Sequence, residues 1–238
     1  MSVVAEPEVR LAALWRLVSL GFAPPTAETV AEVELLAESI LDLERSPEVD
    51  EVLAAARGPS IEVLAAQFHG LFGGTVRVSP YEGSYELDPI RQGRQMSDIA
   101  AFYRAFGASP DGPAAERPDH VGCELEFLAF LELRRLAAVE SGDDVQLLDD
   151  IGASFLRDHA GRWLPAFFSD VRQSAVDAPF YLALAALGGG LIVEELERRG
   201  IEPPALSRTR YRLPVEADSF ECGVSGGDPA RSGTDGTF

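Results

Sequence analysis

Apolar residues recur at three- and four-residue intervals along almost the whole chain, and this periodicity limits the fold more than any other feature. Alternating strand patterns are nearly absent. The stripe Val9, Leu11, Leu14, Trp15 and Val18 marks a first helix over 7–20, closed by Gly21 and the pair Pro24-Pro25. Thr26 stands where it can cap a helix over 27–43. Ser46 followed by Pro47 opens another that ends near Arg57, and Ser60 opens a helix over 61–72 that stops at Gly73-Gly74. Further helices are expected over 93–106, 118–140, 144–159, 162–173 and 178–199, the last capped by Asp177 and closed by Gly200. The segment 76–92 (VRVSPYEGSYELDPIRQ) breaks the pattern and reads as an ordered loop anchored by its tyrosines. Ser109 to Ala115 reads as a turn-rich loop. The expectation is an all-α fold, a single helical bundle of about nine helices over 1–202, with a partly disordered C-terminal tail over 203–238.

Composition narrows the function classes. Hydrophobic residues make up 46% of the 238, enough for a sizeable core, yet no run of 18 apolar residues predicts stable membrane insertion. The start MSVVAEPEVR has no basic region ahead of an apolar stretch, so a cytoplasmic location is expected. A net charge of −19, from 39 acids against 20 bases, argues against nucleic acid as partner. Every base is arginine; a high-salt cytoplasm and a codon bias both account for that. Two distant cysteines, Cys123 and Cys222, and three scattered histidines, His69, His120 and His159, supply neither a disulfide framework nor a zinc site. No metal and no cofactor are expected. The triplet Gly188-Gly189-Gly190 inside an apolar helix points to a close helix crossing or a kink. Arg208, Arg210 and Arg212 form a basic patch that either stays solvated or folds back on the acidic body.

The densest polar pattern runs from Glu116 to Phe127 (ERPDHVGCELEF). Pro118 suits a first helical turn, and the Asp119 carboxylate suits its cap. At about 100° per residue, His120, Cys123, Glu124, Phe127 and Leu131 share one sector, while Leu125, Leu128 and Leu136 lie opposite. Such a helix is central to its bundle. These residues alone leave three readings open: a structural cap with His120 bonded to Glu124, a metal or acid–base site of Asp119, His120 and Glu124, or a polar patch that recognises a partner.

The run Glu116-Arg117-Pro118-Asp119-His120, followed by Glu124-Leu125-Glu126-Phe127-Leu128, resembles the signature of the TorD/DmsD/NarJ family of molybdoenzyme assembly chaperones. Leu71-Phe72-Gly73, Pro80 to Tyr85, Met96, Phe102-Tyr103 and Phe106-Gly107 precede it or follow one another in the family's order. Phe155-Leu156, His159, Trp163 and Phe180-Tyr181 come after it. The resemblance spans about 10–200. It implies a non-enzymatic chaperone, monomer or homodimer, that binds the catalytic subunit of a molybdenum oxidoreductase. Binding would be through that subunit's N-terminal twin-arginine signal peptide, or a remnant of one, until the cofactor is inserted. By position, Pro118, Asp119 and His120 would edge a peptide groove with Tyr81 and Glu82 nearby. Glu82, Glu116, Asp119 and Glu124 would meet the basic end of the peptide; Tyr81, Tyr85 and Phe127 would meet its apolar stretch. A small metal-dependent hydrolase using Asp119, His120 and Glu124, or a structural accessory subunit, are the alternatives.

Overall fold

A computed structural model describes residues 6–73, 76–107 and 116–206, and within them the chain is all-helical. The helices are α1 (Glu6–Gly21), α2 (Ala27–Leu43), α3 (Pro47–Arg57), α4 (Ile61–Phe72), α5 (Pro89–Ala105), α6 (Val121–Ser141), α7 (Gln146–Phe155), α8 (Gly161–Ser174) and α9 (Pro179–Arg199). A 3₁₀ turn at Glu82–Ser84 lies ahead of α5, and a π turn at Leu156–Ala160 joins α7 to α8. The expected turn-rich loop over 109–115, Cys222 and the basic patch at 208–212 lie outside the described residues.

Several helix starts follow from their caps. Thr26 and Thr29 form a reciprocal capping box, each hydroxyl accepting the other's backbone N–H at 3.2 and 2.8 Å. The Ser46 hydroxyl accepts from Val49 N, and Pro47 occupies the first helical position. Two expected caps are not made. The Ser60 side chain forms no cap bond, and α9 starts from Ala178 with Pro179 behind it, so Asp177 plays no capping part. Helix α5 starts at Pro89 rather than Gly93, because a proline's fixed φ fits a first turn. Helix α6 starts at Val121 rather than Pro118, because Asp119 and His120 are drawn into pairing with the loop that contains Tyr81.

Helix α6 packs chiefly on α1, α8 on α9, and α2 and α3 close the bundle against α1 and α9. Both sides of α6 are buried, from Leu125 and Leu128 to Phe127 and Leu131, as its two apolar sectors require. One aromatic cluster gathers Phe22, Phe72, Phe167, Phe168 and Tyr181; a second gathers Tyr103, Phe106, Phe127 and Phe155. Helix α9 is long and apolar enough to cross a membrane by length and composition, but in this fold it lies against α1, α3 and α8. Within its glycine triplet, Gly188 serves the crossing with α8. A Cβ at Gly188 would stand 2.5 Å from the Phe168 ring, whereas one at Gly190 would meet nothing within 4 Å.

These two glycines therefore carry opposite expectations. Gly188→Ala should cost about 1–3 kcal/mol through overpacking against a core ring. Gly190→Ala should gain about 0.5–1 kcal/mol from helix propensity alone. Urea unfolding of the two variants checks both signs; equal shifts would show that no close crossing exists at Gly188.

Candidate functional site

The irregular loop is fastened to the segment that enters α6. Val121 N donates to Pro80 O at 2.9 Å and Glu82 N to Asp119 O at 2.9 Å, making a single antiparallel bridge between Tyr81 and His120. Asp119 is 1% exposed, and its carboxylate turns to this loop instead of capping α6. Its Oδ2 accepts from Gly83 N at 3.2 Å, and Arg117 grips both oxygens at 3.0 and 2.8 Å. Gly83 suits the approach: a Cβ there would lie 3.1 Å from Asp119 Oδ2. The cap of α6 is His120, whose Nδ1 accepts from Gly122 N at 3.1 Å. That bond needs an unprotonated Nδ1, and burial lowers the pKa of His120 to match. The edge continues outward. The Tyr81 hydroxyl donates to Glu116 at 2.9 Å, and the Arg117 guanidinium sits 4.6 Å over the Tyr81 ring. Burial, then Glu116, pushes the Tyr81 phenol up to about 12.

Behind the edge lies a buried polar cluster. Glu82, on the 3₁₀ turn, is 0% exposed. Its Oε1 accepts from Gln95 Nε2 at 2.8 Å, and its Oε2 lies 3.3 Å from His159 Nδ1. Glu124, also 0% exposed, accepts from Trp163 Nε1 at 2.9 Å. Burial, and then the neighbouring Glu82 carboxylate, raises the pKa of Glu124 well above the ordinary carboxylate range. The Oε1 of Gln95 is buried with no hydrogen-bond partner among the described residues. Next to this cluster, buried Glu86 accepts from Arg162 Nη2 at 2.9 Å.

Gln95 and His159 are also the inner wall of an open groove of about 850 Å³ between α5, α7 and the π turn. Phe102, Phe106, Leu147 and Ile151 give it apolar sides, and Asp98 and Asp158 bring carboxylates to it. Phe102 is braced edge-on by both Phe155 and His159, each ring centre 5.5 Å away. Leu147 is 67% exposed, an apolar surface on offer.

The nine residues expected at the site thus fall into two sets. Tyr81, Tyr85, Glu116 and Pro118 reach the surface; Glu82, Asp119, His120, Glu124 and Phe127 are buried behind them. Phe127 is a core ring, packed on Tyr103 and Phe155. His120 does not bond Glu124 through its side chain. Asp119, His120 and Glu124 do not converge either, since each is turned to a different partner. Among the described residues no group of three or more His, Cys, Asp or Glu is arranged to hold a metal. Burial lifts the Cys123 thiol to about 12, which leaves it a poor nucleophile. Spacing did not reveal Gln95, His159 and Trp163 as part of the cluster. The pair His159 and Trp163 carried a usable signal: two hydrogen-bonding rings four residues apart in an apolar helix need buried polar partners.

Residues 28–169 match the protein family described as nitrate reductase delta subunit. The chain is 36% identical over 148 residues to the selenate reductase assembly chaperone protein of Thauera selenatis, covering 61% of this chain and 75% of that one. It is 38% identical over 109 residues to the chlorate reductase assembly chaperone protein of Ideonella dechloratans, covering 44% and 56%. It is 29% identical over 216 residues to the chaperone protein TorD of Aeromonas salmonicida, covering 86% and 97%. All three relatives are named as chaperones, none as an enzyme. A crystal structure from Archaeoglobus fulgidus, provisionally assigned to redox enzyme maturation, superposes with a TM-score of 0.54 at 21% identity, covering 76% of this chain and 93% of that one. It shares the fold.

The raised pKa of Glu124 has a measurable signature. The folded protein keeps a proton that the unfolded chain releases above about pH 4.3. The stability it contributes is therefore complete below that pH and declines as pH rises toward the folded pKa. Glu124→Gln keeps an acceptor for Trp163 and has no proton to lose. Its stability relative to the unsubstituted chain should rise as pH increases above about 5 in urea unfolding. Parallel curves would mean that Glu124 is ionised in the fold.

Proposed function

The chain belongs to the nitrate reductase delta subunit family of redox enzyme maturation chaperones, and on that premise we propose that it assists assembly of the catalytic subunit of a molybdopterin-dependent oxidoreductase. In this reading it binds that subunit's N-terminal twin-arginine signal, or a remnant of one, before export or membrane attachment and while the cofactor is inserted. It acts in the compartment where the client is made, the cytoplasm, as monomer or homodimer, and catalyses no reaction of its own.

The observation that carries this reading is the apolar groove beside the Glu82 cluster. A twin-arginine signal has a basic end followed by an apolar stretch. Phe102, Phe106, Leu147 and Ile151 suit the stretch, and Asp98 and Asp158 suit the basic end. A hydrogen bond from arginine to a carboxylate contributes roughly 1.5–3 kcal/mol when water is excluded. The buried residues work from behind. Glu82 holds Gln95 and His159, two members of the groove wall. Asp119 and His120 hold Glu82 at its depth through the bridge, and Glu124 and Phe127 support the α6 side. Tyr81, Tyr85, Glu116 and Pro118 offer further surface along the loop.

Titration calorimetry with N-terminal peptides of the reductase subunit encoded beside this chain tests the reading, with binding expected in the micromolar range. Absence of binding to either the peptide or the apo-subunit at that concentration overturns it. Asp98→Arg with Asp158→Arg should weaken peptide binding roughly ten-fold or more. The exposed Asp158–Arg157 pair that the change removes contributes little to the fold, so the melting temperature should stay within about 2 °C. Recovery of the chain as a permanent component of the mature enzyme would instead mark a structural subunit.

A further inference from the structure

Helix α9 ends at Gly200, which takes the left-handed conformation (φ 63°), and the chain then runs back across the start of α8. Ile201 N donates to Leu196 O at 2.9 Å, and Arg162 Nε donates to Pro204 O at 3.3 Å. Pro203 packs so closely on Gly161 that a Cβ there would stand 3.1 Å from its ring. These contacts place Pro204 on the rim of the apolar groove. The sequence that follows is Ser207-Arg208-Thr209-Arg210-Tyr211-Arg212-Leu213-Pro214-Val215. In a chain with a net charge of −19, three arginines within five residues stand directly ahead of an apolar triplet. Basic first and apolar second is also the order of the peptide assigned to the groove above.

We propose that residues 207–215 occupy this groove in cis and compete there with the client's N-terminal peptide. The competition rests on the proposed function; the docking does not. Two acceptors are within reach. Leu206 already touches a cleft of about 510 Å³ beside Tyr85. That cleft is lined by one carboxylate, Asp170, which already accepts from the Tyr85 hydroxyl, and by one base, Arg77, so it offers three arginines no net charge to meet. The groove brings two carboxylates, Asp98 and an Asp158 paired only with the exposed Arg157, and its base, Arg162, is engaged with Glu86. Nine extended residues reach about 30 Å, so the segment can turn back from Leu206 and lie along α5 and α7. Tethering raises its local concentration to the order of millimolar, which lets even a weak cis ligand fill the site.

The full chain with p-benzoylphenylalanine in place of Tyr211 tests the docking by photo-cross-linking and mass spectrometry. Expected are intramolecular links to 98–106 or 147–158, at yields independent of protein concentration and lost in Asp98→Arg with Asp158→Arg. Links confined to 77–87 or 166–170, links between two copies, or none at all overturn the proposal. Replacing Arg208, Arg210 and Arg212 together by serine in the full chain should tighten client-peptide binding about ten-fold, as expected if the cis segment fills the groove about nine-tenths of the time. Unchanged affinity overturns the competition while leaving the chaperone reading in place. Groove cross-links with no peptide binding by either protein would remove the chaperone reading and leave the docking.

Discussion

A carboxylate with no solvent around it, that of Glu82, sets the terms for the residues near it. Removing a carboxylate from water costs several kcal/mol unless hydrogen bonds replace its shell. Gln95 from α5 and His159 from the π turn supply them. Burial and then the nearby Glu82 raise the pKa of Glu124 from α6, and Trp163 from α8 donates to one of its oxygens. Segments far apart in sequence thus meet because one loop residue has to be partnered. The loop keeps the required depth through the Tyr81–His120 bridge and the grip of Asp119 on Gly83.

Most of the helical frame could be read from the residues, because periodicity and caps act locally. Thr26, Ser46 and the glycines at helix ends mark boundaries through bonds that a few neighbouring residues make. What could not be read depends on distant partners. Asp119 looks like a cap in sequence, but Gly83 and Arg117 compete for its carboxylate and win it. His120 then takes the cap, which shifts the start of α6. Glu82 sits in a segment rich in turn residues, and nothing local distinguishes a buried glutamate there from a solvated one. The order of motifs around Pro118-Asp119-His120 singled out the loop and the entry to α6 as one unit, and the Tyr81–His120 bridge joins them. That order did not separate the residues that form the surface from those that hold it, since both kinds are polar or aromatic.

The two ends of the bundle are fastened in different ways. Away from the groove, Arg199 joins Glu132 to Glu195, and Arg135 joins Glu8 to Asp149, so permanently charged guanidinium groups tie α1, α6, α7 and α9 together. Beside the groove one buried guanidinium pair, Arg162–Glu86, stands next to a centre whose bonds run through an amide, an imidazole, an indole and a carboxyl group. Such contacts exchange partners at lower cost than buried arginine pairs.

The π turn at Leu156–Ala160 has a bearing on how related chains can differ. Adding a residue to a regular α-helix rotates everything beyond it by about 100°. A π turn takes up the extra residue locally. Gly161 lets the backbone close in, since a Cβ there would lie 2.4 Å from Leu156 O. Gain or loss of one residue at this point can leave α8 in phase with α9 while swinging position 159 toward Glu82 or away from it. Length variation here would then work as a tuning peg for the groove wall, with the bundle itself undisturbed.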